Sequence, residues 1–224
     1  MKKSPINHLE RTRERGPTQH DPCDIRSGLW RHHHMVSSIT ASIENGTRRR
    51  NDLEYIPGYK ILERANTPLS WPVTITDPAT GKRVTKDLRP DALFGIEYKT
   101  EQGSRYRFYV VEADRGTEPL TSSTINRKSA LRNILQYEAY ILGGEYKKHL
   151  KLTSPMLVLN VLISEQRMQH HLESLSDCGA MRNVMLFSCV DEILAQRRSV
   201  KDMDEVNSRP WLRAGLSPVT ICKR

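Results

Sequence analysis

No stretch of this sequence approaches the roughly 18 consecutive apolar residues that a membrane-crossing helix needs, so no membrane span is expected. The opening MKKSPINHLERTRERG has two lysines but no apolar run behind them, and a secretory signal is therefore not expected. Cysteine is scarce. Cys23, Cys178, Cys189 and Cys222 are scattered without a Cys-x-x-Cys pair, which argues against a disulfide framework or a zinc knuckle and for reduced thiols in the cytoplasm. A Gly-x-x-x-x-Gly-Lys-Ser/Thr loop is missing, which argues against a nucleotide triphosphatase, and no internal repeat is present.

Among the 224 residues, 37% are hydrophobic and 27% charged, enough for one good-sized core with polar extensions. Lys and Arg number 35 against 26 Asp and Glu, a net charge of +9 with a pI near 9.5. Such a balance favours polyanions, above all nucleic acid, and sequence-independent phosphate contact needs no more than that. A basic protein without any nucleic-acid role is the alternative that charge alone leaves open.

Residues 1–28 are polar and punctuated by Pro5, Gly16, Pro17 and Pro22, the composition of a flexible basic arm. Met35, Val36, Ile39 and Ile43 recur at helical spacing over 29–45, with Asn45-Gly46 as a stop and Arg48-Arg49-Arg50 just beyond it. Strands are expected over 55–64, 71–76, 88–98 and 106–114, with a turn at Asp77-Pro78-Ala79-Thr80-Gly81. A helix is expected over 124–142, ended by Gly143-Gly144. The apolar run 155–164 fits a central strand covered on both faces. A helix over 165–175 and a strand over 183–190 follow, and 197–224 has the composition of a C-terminal tail. The pattern predicts one α/β domain over 29–196, a mixed central sheet flanked by helices, with an extra strand or hairpin near Trp71.

Strand alternation in YRFYVVEADRG places Tyr106, Phe108, Val110, Glu112 and Asp114 on one face, so two carboxylates emerge at the end of an otherwise apolar strand. Asp91 stands at the start of the preceding strand. Antiparallel pairing would bring it beside them. Three carboxylates so close repel one another, and a divalent cation is the usual compensation, magnesium or manganese for an all-oxygen set. The plain alternative is three solvated strand-end acids, paired with Arg89 or Arg115.

Arg89-Pro90-Asp91 followed by Glu112-Ala113-Asp114 resembles the PD-(D/E)XK nuclease superfamily. The continuation Asp114-Arg115-Gly116-Thr117-Glu118, with Lys128 and several tyrosines beyond, resembles the replication-relaxation family of plasmid and mobile-element proteins. The resemblance runs over about 29–190 and implies a restriction-endonuclease-like αβββαβ core and a role on DNA. Many members of the narrower family carry a winged helix ahead of this core, for which the N-terminal segment here is too short and polar. Superfamily nucleases usually place a lysine two residues after the second acid, where it helps activate water and steadies phosphate charge. This chain has Asp114 there. Lys128, expected in the first turns of the following helix on the row Ile125, Lys128, Leu131 and Leu135, is the candidate replacement; a lysine snorkelling at a helix margin is the alternative. Arg132 and Gln136 on the same flank, and Arg115 beside the acids, are expected to face DNA. Gln136 and Tyr140 also match a Gln-x-x-x-Tyr spacing of some nuclease branches, although Tyr140 reads as pointing away from the apolar stripe.

His32-His33-His34 cannot converge on one ion from a single helix, because adjacent helical residues point about 100° apart, and His170-His171 fails likewise. Glu44 reads as a surface charge near a helix end, or as a remote carboxylate of the site. The leading expectation is a metal-dependent DNA phosphodiesterase, in which Asp91, Glu112 and Asp114 hold Mg²⁺ or Mn²⁺, Lys128 supplies the cation and Arg48-Arg49-Arg50 track phosphates. Its rivals are a DNA-binding accessory factor in plasmid replication or mobilisation that keeps the nuclease fold without cleavage, working with protein partners, and a purely structural module.

Overall fold

The structure is a computed structural model and describes residues 22–116, 119–120, 125–176, 178–189 and 209–221. The expected basic arm lies outside the described residues up to 21. From 22 onward the expectation is corrected, because helix α1 runs over Pro22–Arg48. Met35, Ile39 and Ile43 are its buried stripe, as their spacing requires. The expected stop at Asn45-Gly46 does not end it. Thr47 is fully buried and its hydroxyl donates to the Ile43 carbonyl, which carries the helix one turn further.

Strand β1 covers only Leu53–Pro57, and 58–64 is helical instead of extended: α2 is Gly58–Ala65. Pro57 sets a φ of −62° ahead of the helix, and a Cβ at Gly58 would lie 2.2 Å from the Leu93 carbonyl oxygen. Only glycine lets the helix begin this close to the sheet. Strands β2 (Trp71–Thr76) and β3 (Arg83–Leu88) form a separate antiparallel hairpin. They bear out the extra strand or hairpin expected near Trp71, with the polar-rich RVTKDL as the second strand. The single strand expected over 88–98 is broken at Arg89-Pro90-Asp91, and β4 is Ala92–Thr100. Strand β5 follows as Gly103–Asp114.

The expected 124–142 helix also divides. Ser129 caps α3, Ala130–Tyr137, by accepting from the Arg132 N–H, and a π-helical turn, Glu138–Leu142, follows. Tyr140 is consequently buried and does not point away from the apolar side. Strand β6 (Met156–Leu162), α5 (Glu165–Ser174) and β7 (Met185–Cys189) fall where expected, while α4 (Glu145–Leu150) and α6 (Met181–Val184), which takes the first two residues of the expected last strand, are additional. Beyond it, the described part of the expected tail is sheet: β8 is Trp211–Arg213 and β9 is Leu216–Val219. Residues 190–208 and 222–224 lie outside the described residues.

The seven-stranded sheet has the order β1-β4-β5-β6-β7-β8-β9. Pairs β1·β4 and β4·β5 are antiparallel, β5·β6 and β6·β7 parallel, and β7·β8 antiparallel, so the sheet is mixed, as expected. One face buries Met35, Ile39 and Ile43 of α1 against Phe94, Tyr109, Val111 and Leu159, with Trp211 and Ile221 beside them. The Tyr98 hydroxyl donates to the Ile221 carbonyl (2.6 Å) and accepts from Tyr109 (2.8 Å), which ties the C-terminal segment to this face. The other face packs Phe108, Val110 and Val158 under Ile61, Val73, Ile75, Ile134 and Tyr137. No helix among the described residues is long and apolar enough to cross a membrane.

His149 of α4 joins three elements on this second face. It stacks on Trp71 with centroids 4.4 Å apart, accepts at Nδ1 from the Tyr140 hydroxyl (2.7 Å) and donates from Nε2 to the Pro68 carbonyl (2.8 Å). Burial holds its pKa below the ordinary 6.5, opposed by the bond to Pro68. A base whose folded pKa is depressed contributes stability above its unfolded pKa and loses it as the pH falls through that value. The melting temperature is therefore expected to drop between pH 7.5 and 5. His149→Phe, which keeps the stack but cannot titrate, should flatten that drop while lowering stability by roughly 1–3 kcal/mol at pH 7.5.

Candidate functional site

Pro90 has no N–H, which ends pairing in the hairpin strand before it, and Asp91 then re-enters the main sheet. The Asp91 N–H donates to the Val111 carbonyl (3.0 Å), and its Oδ2 accepts from the Ala113 N–H (2.8 Å). These two bonds straddle Glu112 and fasten the start of β4 to the end of β5. The expected antiparallel neighbourhood is present: Ala92 pairs with Val111, and Asp91, Glu112 and Asp114 line one pocket of about 180 Å³. Lys128 and Arg115 line it too. Lys128 is not in a helix as expected. It precedes the Ser129 cap and so sits on a loop.

Each carboxylate has a different partner. Asp91 Oδ1 lies 3.1 Å from Nε2 of His32, which reaches the pocket from α1. Glu112 accepts a short hydrogen bond from the Tyr137 hydroxyl. Burial first, and then the charge of Glu112, push the Tyr137 phenol well above its ordinary pKa, so it remains a neutral donor. Asp114 Oδ2 is 2.7 Å from both the Nε and a terminal nitrogen of Arg167, and Oδ1 accepts from the Gly116 N–H (2.7 Å). Gly116 has φ of 79°, a conformation that permits this tight turn. His171 Nε2 is 3.3 Å from the same Oδ2, a close approach and not a well-aligned hydrogen bond. Burial would raise the Asp114 pKa, but His171, Arg167 and the Gly116 N–H outweigh it and bring it down to about 2.

The other expected DNA contacts lie elsewhere. Gln136 is buried and donates to the Lys86 carbonyl (3.1 Å), so it braces the β2–β3 hairpin instead of facing a groove. Arg132 donates to the Asn126 carbonyl (2.9 Å) and does not line the pocket. Arg48 pairs with Glu44 and Arg50 with Asp52, while Arg49 is exposed. At 1.5 Å per residue this cluster is about 24 Å along α1 from His32. Glu44 belongs to that far end. Thr117, Glu118 and Thr124 lie outside the described residues.

Several pocket residues escaped the sequence reading although signals existed. His32 continues the stripe of Met35, Ile39 and Ile43 by one turn. Arg167 and His171 are four apart on α5 and share a face. Asn160, the polar interruption in MLVLNVL, pairs in register with Glu112 and lines the pocket. Asn133 also lines it, and its buried Oδ1 accepts no hydrogen bond from the described residues. Among the described residues, no group of three or more His, Cys, Asp or Glu is arranged to hold a metal ion. The geometry that remains is a pair of carboxylates, Asp91 and Glu112, plus a third committed to Arg167.

The Asp114–Arg167 pair predicts a stability effect. Its side chains are 19% and 17% exposed, so removing one charge should cost more than breaking a surface pair and less than stranding a fully buried charge, roughly 1–3 kcal/mol. The folded pKa is depressed from 3.8, so this contribution is present above about pH 4 and lost as the pH falls toward about 2. Asp114→Asn should lower the melting temperature at pH 7 and lose little further stability over that acid window, as read by thermal unfolding at a series of pH values.

The family model for replication-relaxation matches residues 7–154, while no curated protein and no solved structure matches the chain. The matched stretch takes in Asp91, Glu112, Asp114 and Lys128, and stops before Asn160, Arg167 and His171. It spans more than half of the 224 residues and includes the break at Pro90, the paired strands β4 and β5 and the α3 cap that together build the pocket. The chain belongs to the replication-relaxation family.

Proposed function

We propose that this protein acts on DNA in the replication or mobilisation of a plasmid or mobile element, and that its pocket hydrolyses phosphodiester bonds with the help of a divalent cation. The observation that carries the reading is the meeting of Asp91, Glu112 and Lys128 in one pocket at the end of two paired strands. The chain order also supports a restriction-endonuclease-like core. Helix α1, the antiparallel trio β1, β4 and β5, helix α3 and the parallel β6 reproduce an αβββαβ succession, with α2, β2 and β3 as an insertion.

The donors suit a hard cation. Magnesium is commonly held by one or two carboxylates together with substrate phosphate oxygens, so Asp91 and Glu112 suffice without Asp114, and Asn133 Oδ1, which has no hydrogen-bond partner among the described residues, is a further oxygen in the same pocket. Bound there, Mg²⁺ or Mn²⁺ would supply Lewis-acid neutralisation of the phosphate charge. The protein's own groups do the rest. Tyr137 fixes the Glu112 carboxylate, His32 and the Ala113 N–H fix that of Asp91, and Lys128 brings a positive charge toward the scissile phosphate.

One observation favours the non-cleaving accessory factor: Asp114 occupies the position usual for the lysine and is bound to Arg167. Supercoiled DNA incubated with the protein and Mg²⁺ or Mn²⁺ separates the readings. Hydrolysis predicts nicked circles, with rates at least 100-fold lower for Asp91→Ala and Glu112→Ala, and about 10-fold to 100-fold lower for Lys128→Ala with partial rescue by Lys128→Arg. A metal-independent mobility shift without nicking would establish the accessory factor instead.

A further inference from the structure

The opposite end of β5 carries a second feature, independent of the acidic pocket. Strand β5 begins at Gly103, but its pairing with β6 begins only at Phe108, opposite Met156. The first residues of β5 thus form the edge of a three-stranded ribbon with β4 and β1, open on the β6 side. Two depressions lie against this ribbon. One, of about 410 Å³, has an apolar floor that includes Ile56 and Phe108 and is rimmed by Lys60, Arg64 and Lys151. The other, of about 440 Å³, is lined by Arg105 and Arg107. Both share Tyr106 and Ser154, and no Asp or Glu lines either.

Five cations therefore flank one partly exposed phenol, since Tyr106 is 41% exposed. Its hydroxyl reaches Glu97 (3.3 Å), which orients the ring and leaves the aromatic plane between the two depressions. Glu54, the acid that feels the charge of Lys60, is already paired with Lys99 at 2.8 Å. Lys60, Arg64 and Lys151 form no ion pair among the described residues. Lys151 adds a further sign of purpose. Its φ is 51°, a left-handed conformation at the end of α4 that glycine would adopt at less cost, and yet a cation stands there.

We propose that these two depressions form a binding surface for single-stranded nucleic acid, with a base stacked on Tyr106 and successive phosphates held by Lys60, Arg64 and Lys151 on one side and by Arg105 and Arg107 on the other. A basic track with an aromatic platform and an apolar floor is the combination that binds unpaired strands, because every base offers a stacking face and every nucleotide a phosphate. A duplex keeps its bases stacked inside and gains nothing from the phenol. The surface is about 20 Å from Glu112 along β5 at ordinary strand rise, so it is a separate site.

The test is fluorescence anisotropy of the full chain with a labelled oligothymidylate of about ten nucleotides, in EDTA, so that the outcome does not depend on chemistry at the acidic pocket. Tyr106→Ala should weaken binding about 10-fold, with Tyr106→Phe near the parent. Lys151→Gly should weaken it several-fold while leaving the melting temperature equal or higher, which separates binding from folding. Each cation removed should lower the slope of log affinity against log salt by about 0.7. Equal affinity for a duplex of matched length, equal competition by anionic phosphatidylserine vesicles or polyglutamate, or unchanged binding in these variants would overturn the proposal.

Discussion

The candidate site depends on one carboxylate doing a backbone's work. Asp91 stands just before β4, where Pro90 cannot donate, and yet its own N–H and its Oδ2 bond to β5 on either side of Glu112. This clamp sets the register of the end of the strand, and a one-residue slip would turn Glu112 away from the α3 face. Because Glu112 faces α3, it meets Tyr137, and because Asp91 sits at the sheet's rim, it meets His32 from the opposite helix layer. Residues from both faces of the sheet are thereby gathered at one strand end, which no pairing of apolar surfaces alone would accomplish.

The three acids are compensated in three ways, and the differences decide what each can do. Asp114 is neutralised by a guanidinium in two-point contact, with a carboxyl pKa of about 2, so it is a permanent anion serving Arg167 and the turn at Gly116. Asp91 is divided between a histidine and a backbone amide. Glu112 meets a neutral phenol, which orients it without cancelling its charge. The three carboxylates are therefore not an equivalent set: Asp114 is bound in place by Arg167, while Glu112 and Asp91 are oriented by an uncharged phenol and a backbone amide.

Periodic burial was legible in the sequence, and special positions were not. The α1 stripe, the apolar β6 and the alternation that aligned Glu112 with Asp114 could each be read from spacing, because one face or both were buried along their whole length. The errors fell where a single residue overrode the local pattern. Pro57 and Gly58 turned an apparent strand into a helix, Ser129 moved a helix start past Lys128, and a π-helical turn rotated Tyr140 into the core. Strand β3 was legible only as part of an extra strand or hairpin near Trp71, because half of its side chains are exposed. Arg167 and His171 share a helix face that spacing shows, but not their partner: Asp114 is separated by a whole strand and helix crossover, and only the parallel pairing of β5 with β6 brings them together.

Charge is also partitioned along the sheet. The acids gather at the end of β5 where it leaves the sheet beside β6, and cations of β5 and α2, with Lys151, collect at the other end. Opposite charges about 20 Å apart are separated by roughly two Debye lengths at physiological ionic strength, so the two ends scarcely attract or cancel each other through solvent. Each keeps its own field. On the proposed reading, capture of a strand at the basic end would respond to salt and handling of a scissile phosphate at the acidic end to divalent metal, with Arg115 and Lys128 tempering the repulsion in that pocket.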